Sequence, residues 1–171
     1  PAVAKQAAEV AEVAALLGRI SPAFDLAAAV DLRIVQAGSG GGFFEIAAPD
    51  RGGEGGFAAK ITAGNAVDLA AGAHWWLKYH LNCSVSWWGD QLDALPAPGT
   101  PLPAFSGLER HTTTYDLRYY MNVCTFGYST AFWDWARWER EIDWMALNGI
   151  NTPLAFVGQE YVFREVLREV G

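Results

Sequence analysis

The stretch RYYMNVCTFGYSTAFWDWARWEREIDWMALNGINTPLAFVGQEYVFREV, residues 118–166, decides the fold. It and its flanks read as four elements in alternation. Residues 117–125 are β-favourable, 132–147 helical, 150–157 β-like with Pro153 near the start, and 161–170 helical again. In the first helix Trp135, Trp138, Ile142 and Met145 repeat at helical spacing. That spacing predicts an apolar stripe, with Arg137 and Glu141 pairing one turn apart on the solvent side. Asn148-Gly149 directly after the stripe reads as a helix C-cap, with Gly149 supplying the left-handed residue, rather than as a hairpin turn. Two strands joined through a helix must run parallel. Parallel strands are found buried among several neighbours, so two cannot stand alone. The pattern therefore predicts a chain that continues past Gly171 into an eight-fold barrel or a doubly wound sheet.

Working toward the N-terminus, LPAPGTPLPAFSG at 95–107 has too much proline and glycine for a regular helix and reads as a surface linker. All Trp residues lie at or after position 75, and the first seventy residues carry no Trp or Tyr. These shifts divide the chain into units 1–107 and 108–171. In the front unit a helix is expected over 4–17, stopped by Gly18, and a second over 65–80 with an apolar stripe of Leu69, Gly72, Ala73, Trp76 and Tyr79. Short β-compatible runs at 23–35, 43–48 and 57–62 alternate with the tracts GSGGG and RGGEGG, which is the punctuation of antiparallel hairpins. A further strand is expected over 82–88, with Val85 and Trp87 on one face. The predicted class is α+β, a small sheet covered by helices on one side.

Composition excludes several functions. The 171 residues are 51% apolar and 13% aromatic, which argues for a packed core rather than disorder. Twelve basic against nineteen acidic residues give −7, and the basic ones are scattered, so no nucleic-acid partner is expected. No apolar run is long enough to span a bilayer. Two cysteines and three dispersed histidines give no zinc spacing, so neither metal nor cofactor is expected.

The Trp-rich segment WDWARWEREIDWMALNGIN at 133–151 resembles the start of the catalytic barrel of the α-N-acetylglucosaminidases, glycoside hydrolase family 89. A weaker likeness extends over 1–107, where AGNAVDLAAG and the following WWLKY match the α/β domain that precedes that barrel. The chain departs from the pattern at Thr152-Pro153 and Phe156-Val157. The resemblance implies a (β/α)8 TIM barrel begun but not completed here. It also implies removal of terminal non-reducing α-linked N-acetylglucosamine from glycans, heparan sulfate in animal members, in a lysosomal, vacuolar or secreted setting. Such retaining chemistry needs a nucleophilic carboxylate and an acid roughly 5–5.5 Å apart. In the family both sit on later strands, so no catalytic residue is expected in this chain.

Barrels build their sites beyond the C-terminal ends of the strands. Asn122 and Cys124, two apart on the first strand, are expected to point the same way there. The amide would meet sugar hydroxyls and the small thiol would leave room for a ring; the family's Asn-Val-Cys motif places both beside the terminal sugar. Tyr128 in the next loop, and Gln159 and Glu160 after the second strand, complete the substrate-binding candidates.

Other features read as structural. Asp134, Glu139, Glu141 and Asp143 interleave with Arg137 and Arg140, as on the solvated or salt-bridged side of a barrel helix. His74, His80 and His111 read as surface or half-buried. Cys83 reads as a small buried hydrophobe, with a bridge to Cys124 as the alternative. Asn82-Cys-Ser84 fits the N-glycosylation pattern. Against the glycosidase stand two alternatives: a non-catalytic carbohydrate-binding module, whose Trp87 and Trp88 stack on sugars, and a structural interaction domain.

Overall fold

A computed structural model describes residues 2–36, 41–50, 56–155 and 158–171. The chain opens with α1 (Ala2–Ile20), α2 (Leu26–Ala29), β1 (Val30–Ile34), β2 (Phe43–Ala47), β3 (Ala59–Ala63) and α3 (Ala66–His80). It continues with β4 (Ser84–Ser86), β5 (Gly89–Gln91), β6 (Leu108–Thr112), β7 (Tyr119–Tyr120), α4 (Thr125–Tyr128), α5 (Trp135–Leu147), β8 (Thr152–Pro153) and α6 (Gln159–Val170).

α1 runs past the expected stop at Gly18. Val13, Leu16, Leu17 and Ile20 are all buried on one face, and their burial outweighs the roughly 1 kcal/mol that a mid-helix glycine costs. The helix ends before Pro22. The run at 23–35 is not all strand either: the Asp25 carboxylate accepts the Ala28 N–H at 3.0 Å and holds α2, leaving β1 to start at Val30.

The front sheet has the order β1-β3-β2-β6. β2 is antiparallel to both β3 and β6, but β1 and β3 run parallel, so β1 and β2 are not the hairpin that the glycine punctuation suggested. Apart from Gly41, Gly42 and Gly56, the two glycine tracts lie outside the described residues. Ala59, Ile61 and Ala63 point from β3 into the core, with α3 against β2 and β3 and α1 against β1. The other face is polar, with Arg33 and Lys60 sharing Asp50 at 2.8 and 2.6 Å. One-sided helical cover of the sheet is thus as expected. Gly72 lets α3 cross the sheet closely, since a Cβ there would stand 3.0 Å from Ile61 and Phe44 and push their side chains aside. Tyr79 leaves the predicted stripe: it is 54% exposed and its ring lies tilted against Trp75 at 4.3 Å.

β6 lies beyond the composition-based division at 107, yet it is the edge strand of the front sheet, pairing Phe43 to Thr112 and Ala47 to Leu108. The proline-rich segment before it is tied down rather than free, with the Phe105 N–H donating to the Ala58 carbonyl at 2.7 Å.

Beyond the sheet, β7 and β8 pair in parallel, joined through α5 as the alternation required. Among the described residues they form a two-stranded pair and no closed barrel. Both are shorter than predicted, with Phe156 and Val157 of the second expected strand lying outside the described residues. β7 stops because Met121 adopts φ 75°, a left-handed conformation that ends extended pairing. Gly149, at φ 73°, follows the C-cap Asn148 of α5 as expected. α5 buries only part of its predicted stripe: Met145 is buried and Trp138 half-buried, but Trp135 is 68% and Ile142 46% exposed, and Glu141, Asp143 and Leu147 are buried beside Met145. The reason is that α5 packs against α3 of the front unit.

Candidate functional site

Because β7 and β8 are parallel, the segments that leave their C-terminal ends emerge on the same side. Asn122 and Cys124 follow β7, and Gln159 and Glu160 open α6 after β8. Asn122 and Cys124 do not share a strand face as expected, since both lie between β7 and α4. Asn122 Oδ1 instead accepts from the N–H groups of Cys124 and Thr125 at 3.0 and 3.1 Å and from the Thr125 hydroxyl at 3.1 Å. The amide carbonyl thereby holds the turn into α4, and Asn122 Nδ2 makes no hydrogen bond among the described residues. Cys124 is an exposed free thiol and Cys83 a buried one, so the alternative bridge is absent and Cys83 is the small hydrophobe expected. Burial pushes the Cys83 thiol pKa up, keeping it protonated. Tyr128 is exposed on α4, Glu160 is exposed in the first turn of α6, and Gln159 is half-buried. Gly158, at φ 79°, turns the chain into α6.

What fixes this strand end is a set of polar groups around Glu141, a residue expected on the solvated or salt-bridged side of its helix and found buried. The Tyr120 hydroxyl donates to Glu141 Oε1 at 2.7 Å, and Trp87 Nε1 donates to the same oxygen at 3.1 Å. Arg137 stands 3.0 Å from Oε2, and the Glu141 side chain is 1% exposed. The predicted Arg137–Glu141 pair therefore exists, but inside the molecule. Burial, followed by the hydrogen bond to Glu141, pushes the Tyr120 pKa up to about 12, so the phenol stays a donor. Asp143 is buried too and takes a bidentate grip from Arg19 at 2.7 and 2.8 Å, tying α5 to α1. Asp134 caps α5 by accepting the Arg137 N–H at 2.9 Å. Glu141 lies three residues after Trp138 and four before Met145, inside the apolar stripe; that position was the overlooked signal.

At the start of β7, Arg118 donates to Asp68 Oδ1 at 2.6 Å, to the Tyr115 carbonyl at 3.3 Å and to the Gly149 carbonyl. His74 is buried, not at the surface. Its Nε2 accepts the Val85 N–H at 3.1 Å, which leaves Nδ1–H to donate to the Leu147 carbonyl at 3.0 Å. One neutral ring thus joins α3, β4 and the end of α5; burial lowers its pKa. His80 and His111 are half-buried beside Glu109.

A cavity of about 410 Å³ lies between α3, the front sheet and the N-terminal ends of β7 and β8, bounded by Phe44, Trp75, His111, Arg118 and Gly149. None of the five sequence-predicted site residues lines it. It faces the end of the strands opposite to Asn122. Among the described residues no group of three His, Cys, Asp or Glu could hold a metal ion, and no helix is long and apolar enough to cross a membrane.

Comparison with known proteins accounts for both units. Residues 11–104 match the α-N-acetylglucosaminidase (NAGLU) N-terminal domain and residues 118–171 its tim-barrel domain. Human α-N-acetylglucosaminidase is 42% identical over 173 residues, covering 99% of this chain and 22% of the human protein. A family 89 glycoside hydrolase from Clostridium perfringens, solved with 2-acetamido-1,2-dideoxynojirmycin, superposes with a TM-score of 0.81 at 30% identity, over 98% of this chain and 18% of that one. The same organism's enzyme solved with its substrate GlcNAc-α-1,4-galactose gives 0.78 at 32%, over 94% and 17%. The chain spans about a fifth of the length of these relatives. It belongs to the α-N-acetylglucosaminidase family, glycoside hydrolase family 89, and carries that family's N-terminal domain and the start of its tim-barrel domain.

Proposed function

We propose that this chain is the N-terminal part of a retaining glycoside hydrolase that removes terminal non-reducing α-linked N-acetylglucosamine from glycans. The observation that carries the reading is the 42% identity to the human enzyme across 99% of the chain, through both domains. Here β7 and β8 are the first two strands of a (β/α)8 barrel, and the nucleophile and acid belong to later strands. By itself the fragment is inactive, because binding without covalent and acid catalysis does not cleave the bond.

In this reading Asn122, Cys124, Tyr128, Gln159 and Glu160 contribute the part of the sugar pocket made by the first two strand ends. The turn that fixes Asn122 Oδ1 leaves Nδ2 as a preset donor for a sugar hydroxyl. The division of labour falls between 1–107, extended by β6, and the barrel segment that follows. We place the protein in a lysosomal, vacuolar or secreted compartment. Asn82, exposed at φ 53° after α3, is the acceptor for an N-glycan there. The glycan substrate is the partner; heparan sulfate is the substrate if the source is an animal.

Turnover of aryl α-N-acetylglucosaminide by the full-length protein tests this. Hydrolysis of the α-anomer with rejection of the β-anomer and of the aryl α-glucoside is expected. Equal turnover of all three, or none of any, refutes it.

A further inference from the structure

A second pocket, of about 170 Å³, opens between the β4–β5 hairpin and α5. Its volume is that of about six waters, room for one pyranose ring. Trp88 at the hairpin tip is 90% exposed and Trp87 37%, and their rings meet edge to face at 87° and 4.8 Å. Exposing an entire indole to water is unfavourable without a use for it. Glycine at 89 leaves the space beside it open, with φ 156° and nothing within 4 Å of a built Cβ.

Two buried polar atoms in the residues lining this pocket lack hydrogen bonds. Glu141 Oε2 accepts none, since the Arg137 guanidinium 3.0 Å away neutralises its charge without the alignment of a hydrogen bond. Arg140 Nη1 donates none, although Asp90 engages the other guanidinium nitrogen. The Glu141 oxygen is thus compensated by its arginine, whereas a buried donor left unfilled is costly, and native interiors rarely keep one so. An aromatic face beside one unfilled donor, Arg140 Nη1, matches a hydroxylated ring. The C–H face of a pyranose lies on the electron-rich indole, and adjacent hydroxyls both donate and accept.

We infer that the pocket between the β4–β5 hairpin and α5 is a saccharide-binding site separate from the β7–β8 strand ends, taking one neutral hexose or N-acetylhexosamine unit against Trp88 and Arg140. It needs no catalysis to operate. Its use as a second hold on a long glycan rests on the enzymatic reading above, but the binding itself does not.

Fluorine NMR of the full-length protein labelled with 5-fluorotryptophan reads the site directly, the Trp88 line being assigned by its loss in Trp88→Phe. Methyl glycosides of N-acetylglucosamine and galactose are the probes. At least one should shift the Trp88 line saturably at up to about 50 mM, and Arg140→Gln should raise the half-saturation concentration about tenfold, as expected for one charged hydrogen bond. A Trp88 line that moves with neither sugar overturns the inference, as does one that moves equally in wild type and Arg140→Gln. A line already insensitive to soluble quencher also overturns it, by showing that another part of the protein covers the pocket. Loss of aryl glycoside hydrolysis with an intact Trp88 response refutes the enzymatic reading alone.

Discussion

Replacing Tyr120 by Phe removes one hydroxyl and leaves the ring, which packs on Trp144 at 5.3 Å, in place. That hydroxyl is one of two neutral donors to Glu141 Oε1, and it is the shorter contact, 2.7 against 3.1 Å for Trp87. A hydrogen bond to a charged group contributes about 1.5–3 kcal/mol. Glu141 is fully buried, so water cannot take the vacated place without opening α5. The loss should therefore appear as easier local opening of α5 and of the β7 end. Converted at 1.36 kcal/mol per decade, amides of α5 that exchange through this opening should speed up roughly ten- to hundredfold. Hydrogen exchange of the peptide spanning Trp135–Leu147 in the full-length protein measures this. Trp87→Phe should produce a smaller effect, and the double variant less than the sum, because both donors serve one oxygen. Unchanged α5 exchange in Tyr120→Phe, or acceleration spread evenly over the molecule, would refute the idea that Glu141 holds strand and helix together.

Three further outcomes are expected. Acid should weaken the junction at His74: its folded pKa is lowered, so the folded state binds the proton less readily than the unfolded chain, and stability falls as pH drops below the ordinary value near 6.5 until the lowered folded value is passed. His74→Gln should flatten that part of the melting temperature profile, and an unflattened profile would assign the acid response elsewhere. Asn122→Asp keeps the oxygen that closes the turn and removes the Nδ2 donor, so it should raise KM about ten- to a hundredfold with little change in melting temperature; unchanged kinetics would confine Asn122 to the turn. The 171-residue chain alone should self-associate, since Phe132 is 97% exposed and Tyr161, Val162, Phe163 and Leu167 of α6 are all uncovered; a monomeric sedimentation profile would count against it.

Periodicity located α3, α5 and α6 to within two or three residues, and α3 and α5 also carry a recognisable cap, Asn65 and Asp134. It failed where tertiary partners decide. Nothing local says that β1 will take β3 rather than β2 as its neighbour, since the glycine tracts allow either. Nor does spacing reveal that α5 docks on α3, which turns Asp143 inward and leaves Trp135 outside. Each buried acid has its arginine, but Arg19 stands 124 residues from Asp143, beyond any local pattern. The strand-end location of Asn122 was legible, whereas its role in a turn was not, because Met121 in a left-handed conformation ends β7 early.

The most direct test of the enzymatic account is the anomer released first. Proton NMR of the full-length protein acting on an aryl α-N-acetylglucosaminide should show α-N-acetylglucosamine before mutarotation, as a double displacement through two carboxylates requires. Initial release of the β-anomer would contradict a retaining mechanism, and the absence of any N-acetylglucosamine would contradict the proposed activity itself.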